Sequence, residues 1–268
     1  MSARPLVFIT GASSGLGQAL AARYLAAGWR LALVARRVDA LQVWVDARGA
    51  SLAAEPDRVA VYGADVRDTA SIIAAAHACL ARQGVPDVVI ANAGISAGVD
   101  LAEAADLEVM RAIFETNNLG LAATFHPFIA PMRERGRGTL VGVASVAGIR
   151  GLPGHAAYTA SKAGVINTCE SLRIELRSQG IRVVTIAPGY IDTPMTRGNP
   201  FTMPFLMSAP AYAERAFRAI EAGVSYRVIP WQMGVLAKLL RLLPNAWLDR
   251  LLAGRGRKPR AVPPGSTR

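Results

Sequence analysis

Seven short runs rich in Val, Ile and Leu, at residues 6–10, 30–35, 58–62, 87–91, 139–144, 181–187 and 227–229, recur along the chain. Longer stretches with helical periodicity lie between them, at 16–27, 38–53, 69–83, 107–135 and 156–179. An apolar run without polar alternation suits a strand buried on both faces. Strands that alternate with helices suit a parallel sheet whose crossovers cover both sides. The pattern therefore predicts an α/β fold, a doubly wound parallel seven-stranded sheet with helices on both faces.

No repeat or linker divides this alternation. The chain is read as one unit over 1–233, with a loop-rich stretch at about 190–225 of the kind that forms a lid, followed by an extension over 234–268. At 52% hydrophobic and 18% charged, the 268 residues can bury a large core, which excludes disorder and a disulfide-held miniprotein. Cys79 and Cys169, like His77, His126 and His155, are too scattered for a structural zinc site, so no metal is expected. No segment reaches the roughly 18 apolar residues that span a bilayer. The first ten residues lack the features of a signal peptide, and a cytoplasmic protein is expected.

The net charge of +11 is unevenly spread. Residues 234–268 hold eight basic side chains against Asp249, so +7 lies there and +4 in the rest. Only Lys162, Lys238 and Lys258 are lysines among 30 basic residues. An arginine-rich chain with a near-neutral body gives no case for nucleic acid.

The first strand runs straight into Thr10-Gly11-Ala12-Ser13-Ser14-Gly15-Leu16-Gly17 and then a helix. Glycines let the backbone turn tightly and approach a pyrophosphate, while the free N–H groups and dipole of a helix N-terminus hold the negative charge. The Gly-x-x-x-Gly-x-Gly spacing resembles that of the short-chain dehydrogenase/reductase family, in a member with an Asn-Ser-Tyr-Lys tetrad. The resemblance covers about residues 5–230 and implies a single-domain Rossmann fold. Asp65-Val66 after the third strand resembles the family's adenine contact, Asn92-Ala93-Gly94 its turn after the fourth, and Pro188-Gly189 its Pro-Gly motif, with Ile191 and Thr193 at the positions that contact the nicotinamide carboxamide.

Where an NAD site would offer a carboxylate to the ribose, about twenty residues past the glycines, this chain has Arg36-Arg37. Guanidinium groups bind a 2′-phosphate through charge-assisted hydrogen bonds, so NADP(H) is the expected cofactor, the alternative being a solvated pair at a strand end.

Tyr158 and Lys162 stand at i and i+4, on one face of a helix, with Ser145 thirteen residues earlier. A fixed cation beside a phenol favours its ionised form and brings it toward proton transfer at neutral pH. The family resemblance casts Tyr158 as proton donor and acceptor, Lys162 as holding the nicotinamide ribose and lowering the phenol's pKa, and Ser145 as binding the substrate oxygen. Asn117 is cast as holding a water that links the lysine to solvent, although Asn118 beside it leaves the choice between the two amides open.

The expected activity interconverts a carbonyl and a secondary alcohol on a small, lipophilic molecule. Met195, Phe201, Met203, Phe205, Leu206 and Met207 suit an apolar, adaptable pocket, or else pack the lid onto the body. His155 is read as a pocket wall. In the extension, Leu236, Leu239, Leu240 and Leu243, then Trp247, Leu248, Leu251 and Leu252, form an apolar stripe among Lys238, Arg241 and Arg250. That stripe could lie on an anionic membrane, pack on the core, or join a homo-oligomer, a dimer or tetramer. The tail from Ala253 onward, with Gly254, Arg255, Gly256, Arg257, Lys258, Pro259 and Arg260, reads as frayed. The alternatives to an enzyme are a non-catalytic NADP-binding regulator and a membrane-surface scaffold.

Overall fold

A computed structural model describes residues 4–48, 57–199, 202–254 and 256–260. Seven parallel strands form one sheet: β1 (Leu6–Thr10), β2 (Arg30–Ala35), β3 (Val59–Gly63), β4 (Val88–Ala91), β5 (Gly138–Val143), β6 (Ile181–Pro188) and β9 (Tyr226–Ile229), in the order β3-β2-β1-β4-β5-β6-β9. Each matches a predicted run to within a residue or two. Two further strands, β7 (Ile191–Asp192) and β8 (Met207–Ser208), pair with each other outside the sheet and were not foreseen.

Burial explains the unbroken apolar runs. Leu6 and Phe8 of β1 enter one core and Val7 and Ile9 the other, and in β2 Ala32 and Val34 face opposite to Leu31 and Leu33. Successive side chains of a strand alternate between faces, so a sheet covered on both sides needs apolar residues at every position.

The helices are α1 (Gly15–Ala26), α2 (Val38–Asp46), α3 (Thr69–Gln83), α4 (Asp106–Phe114), α5 (Gly120–Arg135), α6 (Ala156–Leu176), α7 (Ala209–Glu221), α8 (Trp231–Leu242) and α9 (Asn245–Leu252). The helix expected over 38–53 ends at Asp46, and 49–53 lies outside the described residues. The helix expected over 107–135 is interrupted by a π-helical turn at Glu115–Leu119. Within the stretch expected as a lid, α7 buries Tyr212, Ala213, Ala216, Ala219 and Ile220 in the core shared with α1, and of the stretch's described residues Ile191, Thr193, Pro194, Met195 and Thr196 line a cavity at the strand ends.

The C-terminal helices pack on only part of the leucine stripe, with Leu248 buried and Leu240, Leu243 and Leu252 half-buried. Met233, Gly234, Ala237 and Leu248 are buried, whereas Leu236, Leu239, Leu242, Trp247 and Leu251 are exposed. The frayed tail is a correction as far as residues 256–260 are concerned. The Gly98 N–H donates to the Pro259 carbonyl at 3.0 Å, and Arg260 forms an isolated bridge with Gly98. Arg260 also makes two hydrogen bonds, of 2.7 and 3.0 Å, to Asp106, a carboxylate without solvent exposure. A buried charge demands a partner, and here the partner comes from 154 residues away. Arg255 and residues 261–268 lie outside the described residues.

Candidate active site

The strand order reverses between β1 and β4, and open α/β sheets bind ligands at the carboxyl ends of the strands flanking such a point. At that end the Thr10 hydroxyl accepts from the N–H groups of Asn92 and Ala93 at 3.1 and 3.2 Å, while Asn92 Nδ2 donates to the Thr10 carbonyl at 2.9 Å. These bonds hold the two loops together. Gly11 has φ +65°, and a Cβ there would meet the Ala93 backbone at 2.9 Å. A Cβ on Gly17 would lie 2.3 Å from the Gly11 carbonyl oxygen, so the loop and the first turn of α1 touch only because Gly17 is glycine.

Ser14 caps α1 without a side-chain hydrogen bond, and no acidic residue stands in the first turn. The leading N–H groups are left for an anion. Beside them opens a cavity of about 310 Å³. It is lined by Gly11, Ser13, Ser14, Gly15, Leu16, Arg36, Arg37, Asp65, Val66, Asn92, Ala93, Gly94, Ser145, Tyr158, Lys162, Pro188, Gly189, Ile191 and Thr193, all singled out in the sequence. Gly17 lies beneath the loop and Asn117 behind the wall. The cradle, free N–H groups and basic rim fit a nicotinamide dinucleotide.

Arg67, which the sequence reading missed, joins the basic rim. It hydrogen-bonds Asp65 at 3.0 Å, and Arg36 lies 3.7 Å from the same carboxylate. Burial raises the Asp65 pKa, but the bonds from Arg67 and the charges of Arg67 and Arg36 bring it below its ordinary value. Arg36 itself is largely exposed, with its guanidinium at the cavity edge.

At the other end of the cavity, Ser145 follows β5 and starts a short 3-10 turn, its hydroxyl accepting from the Ala147 N–H at 3.1 Å. Gly148 ends that turn, and a Cβ there would lie 2.7 Å from the Lys162 backbone, so glycine lets the serine turn press onto α6. Tyr158 lies in the first turn of α6 and Lys162 one turn on. Lys162 is buried, donates from Nζ to the Val143 carbonyl at 2.8 Å, and has its pKa lowered to about 8 by burial. The Tyr158 phenol is pushed above its ordinary pKa by burial, with the Ser145 side chain pulling the other way.

Asn117 sits in the π turn, a local geometry that recurs at functional sites. Its side chain accepts from the Ile95 N–H at 2.9 Å and donates to the Ile95 carbonyl and the Ser161 hydroxyl. It also lies close to Gly94, as does Lys162 Nζ: a Cβ on Gly94 would be 3.2 Å from Asn117 Oδ1 and 3.4 Å from that ammonium. Asn118 instead donates to the Ser161 carbonyl and packs against Gly164. The two amides therefore face different things.

The family model described as short chain dehydrogenase matches residues 5–202. The chain belongs to that family. A Myxococcus xanthus protein named as an uncharacterized oxidoreductase is 41% identical over 242 residues, 90% of this chain and 93% of the relative. A short chain dehydrogenase of Burkholderia cenocepacia, solved with NADP, superposes with a TM-score of 0.78 at 26% identity, covering 93% of this chain and 98% of that one. A Burkholderia phymatum member solved with NAD gives 0.78 at 25% identity, covering 97% of both chains. Other relatives are named as dehydrogenases and reductases. This short chain dehydrogenase is thus an oxidoreductase of alcohol and ketone groups that uses a nicotinamide cofactor.

Proposed function

We propose that the protein is an NADP(H)-dependent oxidoreductase that interconverts a carbonyl and a secondary alcohol on a lipophilic small molecule. The observation that carries this reading is one continuous cavity, with a phosphate cradle at one end and Ser145, Tyr158 and Lys162 at the other. When bound, the cofactor supplies or accepts a hydride at the substrate carbon. Ser145 holds the substrate oxygen, and Tyr158 gives that oxygen its proton in reduction and takes it back in oxidation. Lys162 holds the nicotinamide ribose, and Asn117, bonded to Ile95 beside it, keeps a water within reach for proton exchange.

NADP(H) is favoured by Arg36, Arg37 and Arg67 at the end of the cavity where a 2′-phosphate would lie. Asp65 competes for two of these arginines, which makes the preference one of degree. A lipophilic substrate is favoured by Met195 at the cavity wall and by the exposed Phe205 and Leu206, with Phe205 held at φ 56°, a conformation costly for such a residue. Phe201 lies outside the described residues. Cofactor oxidation followed by absorbance, on a panel of aliphatic, cyclic and acidic carbonyl compounds, tests the reading. It requires turnover with NADPH at higher kcat/KM than with NADH.

A further inference from the structure

The segment 256–260 lies against the residues after β4 and the start of α4 with three basic side chains, and they meet different partners. Arg257 lies 3.3 Å from Asp100, and Arg260 is bound to Asp106 and lies 3.7 Å from Glu103. These ion pairs, with the backbone bond from Gly98 to Pro259, fasten the segment. Lys258 between them makes no ion pair among the described residues. Its ammonium donates to the Ser96 hydroxyl at 2.6 Å and stands 5.7 Å from the centre of the Tyr158 ring. It is half-buried and its pKa is lowered by burial; the pKa of the nearby His155 is lowered by burial too, with the Lys258 charge acting in the same direction.

Anchoring does not require this lysine, because its neighbours already provide it. A cation held partly out of water beside the proton-transfer group, facing a hydroxyl and an aromatic ring, lacks only an anion. The nearby carboxylates Asp100, Glu103 and Asp106 are engaged by Arg257 and Arg260. We propose that Lys258 and Ser96 form an anion subsite next to Tyr158, so that the substrate is a carbonyl or alcohol compound bearing a carboxylate or sulfonate a few bonds from the reacting carbon. Met195 at the cavity wall then meets the apolar remainder of an amphiphilic acid. The proposal rests on the reaction proposed above for its carbonyl, and on Lys258 and Ser96 alone for its anion.

Acetoacetate, 4-oxopentanoate and 5-oxohexanoate, each paired with its methyl ester, are suitable probes. The ratio of kcat/KM for acid over ester is expected to exceed about ten for at least one pair, the worth of one charge-assisted hydrogen bond. Lys258→Met should bring that ratio down by about tenfold or more, and Lys258→Arg should keep much of it. A merely structural lysine would lower acid and ester together and leave the ratio in place. Calorimetric binding of the same pairs to Tyr158→Phe protein with NADP⁺ present separates this proposal from the reaction itself. Acid binding that Lys258→Met abolishes supports the subsite even if no turnover is found. Acid and ester binding within twofold of each other, or a ratio that Lys258→Met does not move, overturns it.

Discussion

Lys162 donates a 2.8 Å hydrogen bond to the carbonyl of Val143, the last residue of β5. One bond to a neutral carbonyl does not replace the water this buried ammonium has lost, and its pKa falls from an ordinary 10.5 to about 8. Between those values the unfolded chain binds more protons than the fold, so this lysine's contribution to stability rises with pH through that window. Cys169, the titratable neighbour, is pushed up to about 11 by burial and works in the opposite sense above pH 9. Denaturant unfolding of the native protein and of Lys162→Met at pH 7, 8, 9 and 10 isolates the lysine. The difference between the two should favour the native chain progressively as pH rises, and a flat difference would show that the ammonium is not buried.

The glycine contact at the cradle is equally specific. Gly17→Ala would force a Cβ to within 2.3 Å of the Gly11 carbonyl oxygen, and backbone has to move. Overpacking of this kind costs about 1–3 kcal/mol of stability. Because the displaced atoms form the phosphate cradle, cofactor binding should be lost well before the fold is, which fluorescence titration with NADPH beside a denaturant melt would reveal.

Arg36 and Arg37 set the cofactor preference in this account. Replacing both by Ala should cut kcat/KM for NADPH by about ten- to a hundredfold, the worth of one charge-assisted hydrogen bond or more. The value for NADH should change far less. Equal losses with both cofactors would mean that these arginines support the loop and do not read the phosphate.

Arg260→Ala should release the C-terminal segment by leaving the Asp106 carboxylate without its arginine. Hydrogen exchange at the Gly98 amide, which donates to Pro259, should speed up while the amides of β1 and β4 keep their protection.

The sheet was readable because burial on both faces leaves no choice of residue, as Leu6 to Ile9 show. That the Gly11–Gly15 loop, Ser145, Tyr158 and Lys162 come to one cavity was readable because the pattern depends on short spacings along the chain. What escaped depends on partners distant in sequence. Nothing local in Glu115–Leu119 marks a π turn, since Asn117 is held there by Ile95 and Ser161. Arg67 escaped because its place in the basic rim comes from the fold, which brings Arg36 from the end of β2 to the same Asp65 carboxylate that Arg67 binds from two residues away. The tail, rich in Gly, Pro and Arg, carried the pattern of a solvated segment, and partners about 150 residues away, the buried Asp106 with Asp100 and the Gly98 backbone, explain why residues 256–260 lie down on the body.

The central claim is that Tyr158 moves the proton at the nicotinamide end of the cavity. It is tested most directly by NADPH-dependent reduction with Tyr158→Phe, using a carbonyl compound that the native protein turns over. Removing a general acid should lower kcat by about 10²–10⁴-fold, with NADPH binding kept within about threefold because the cradle is untouched. A kcat within threefold of the native value would contradict the account.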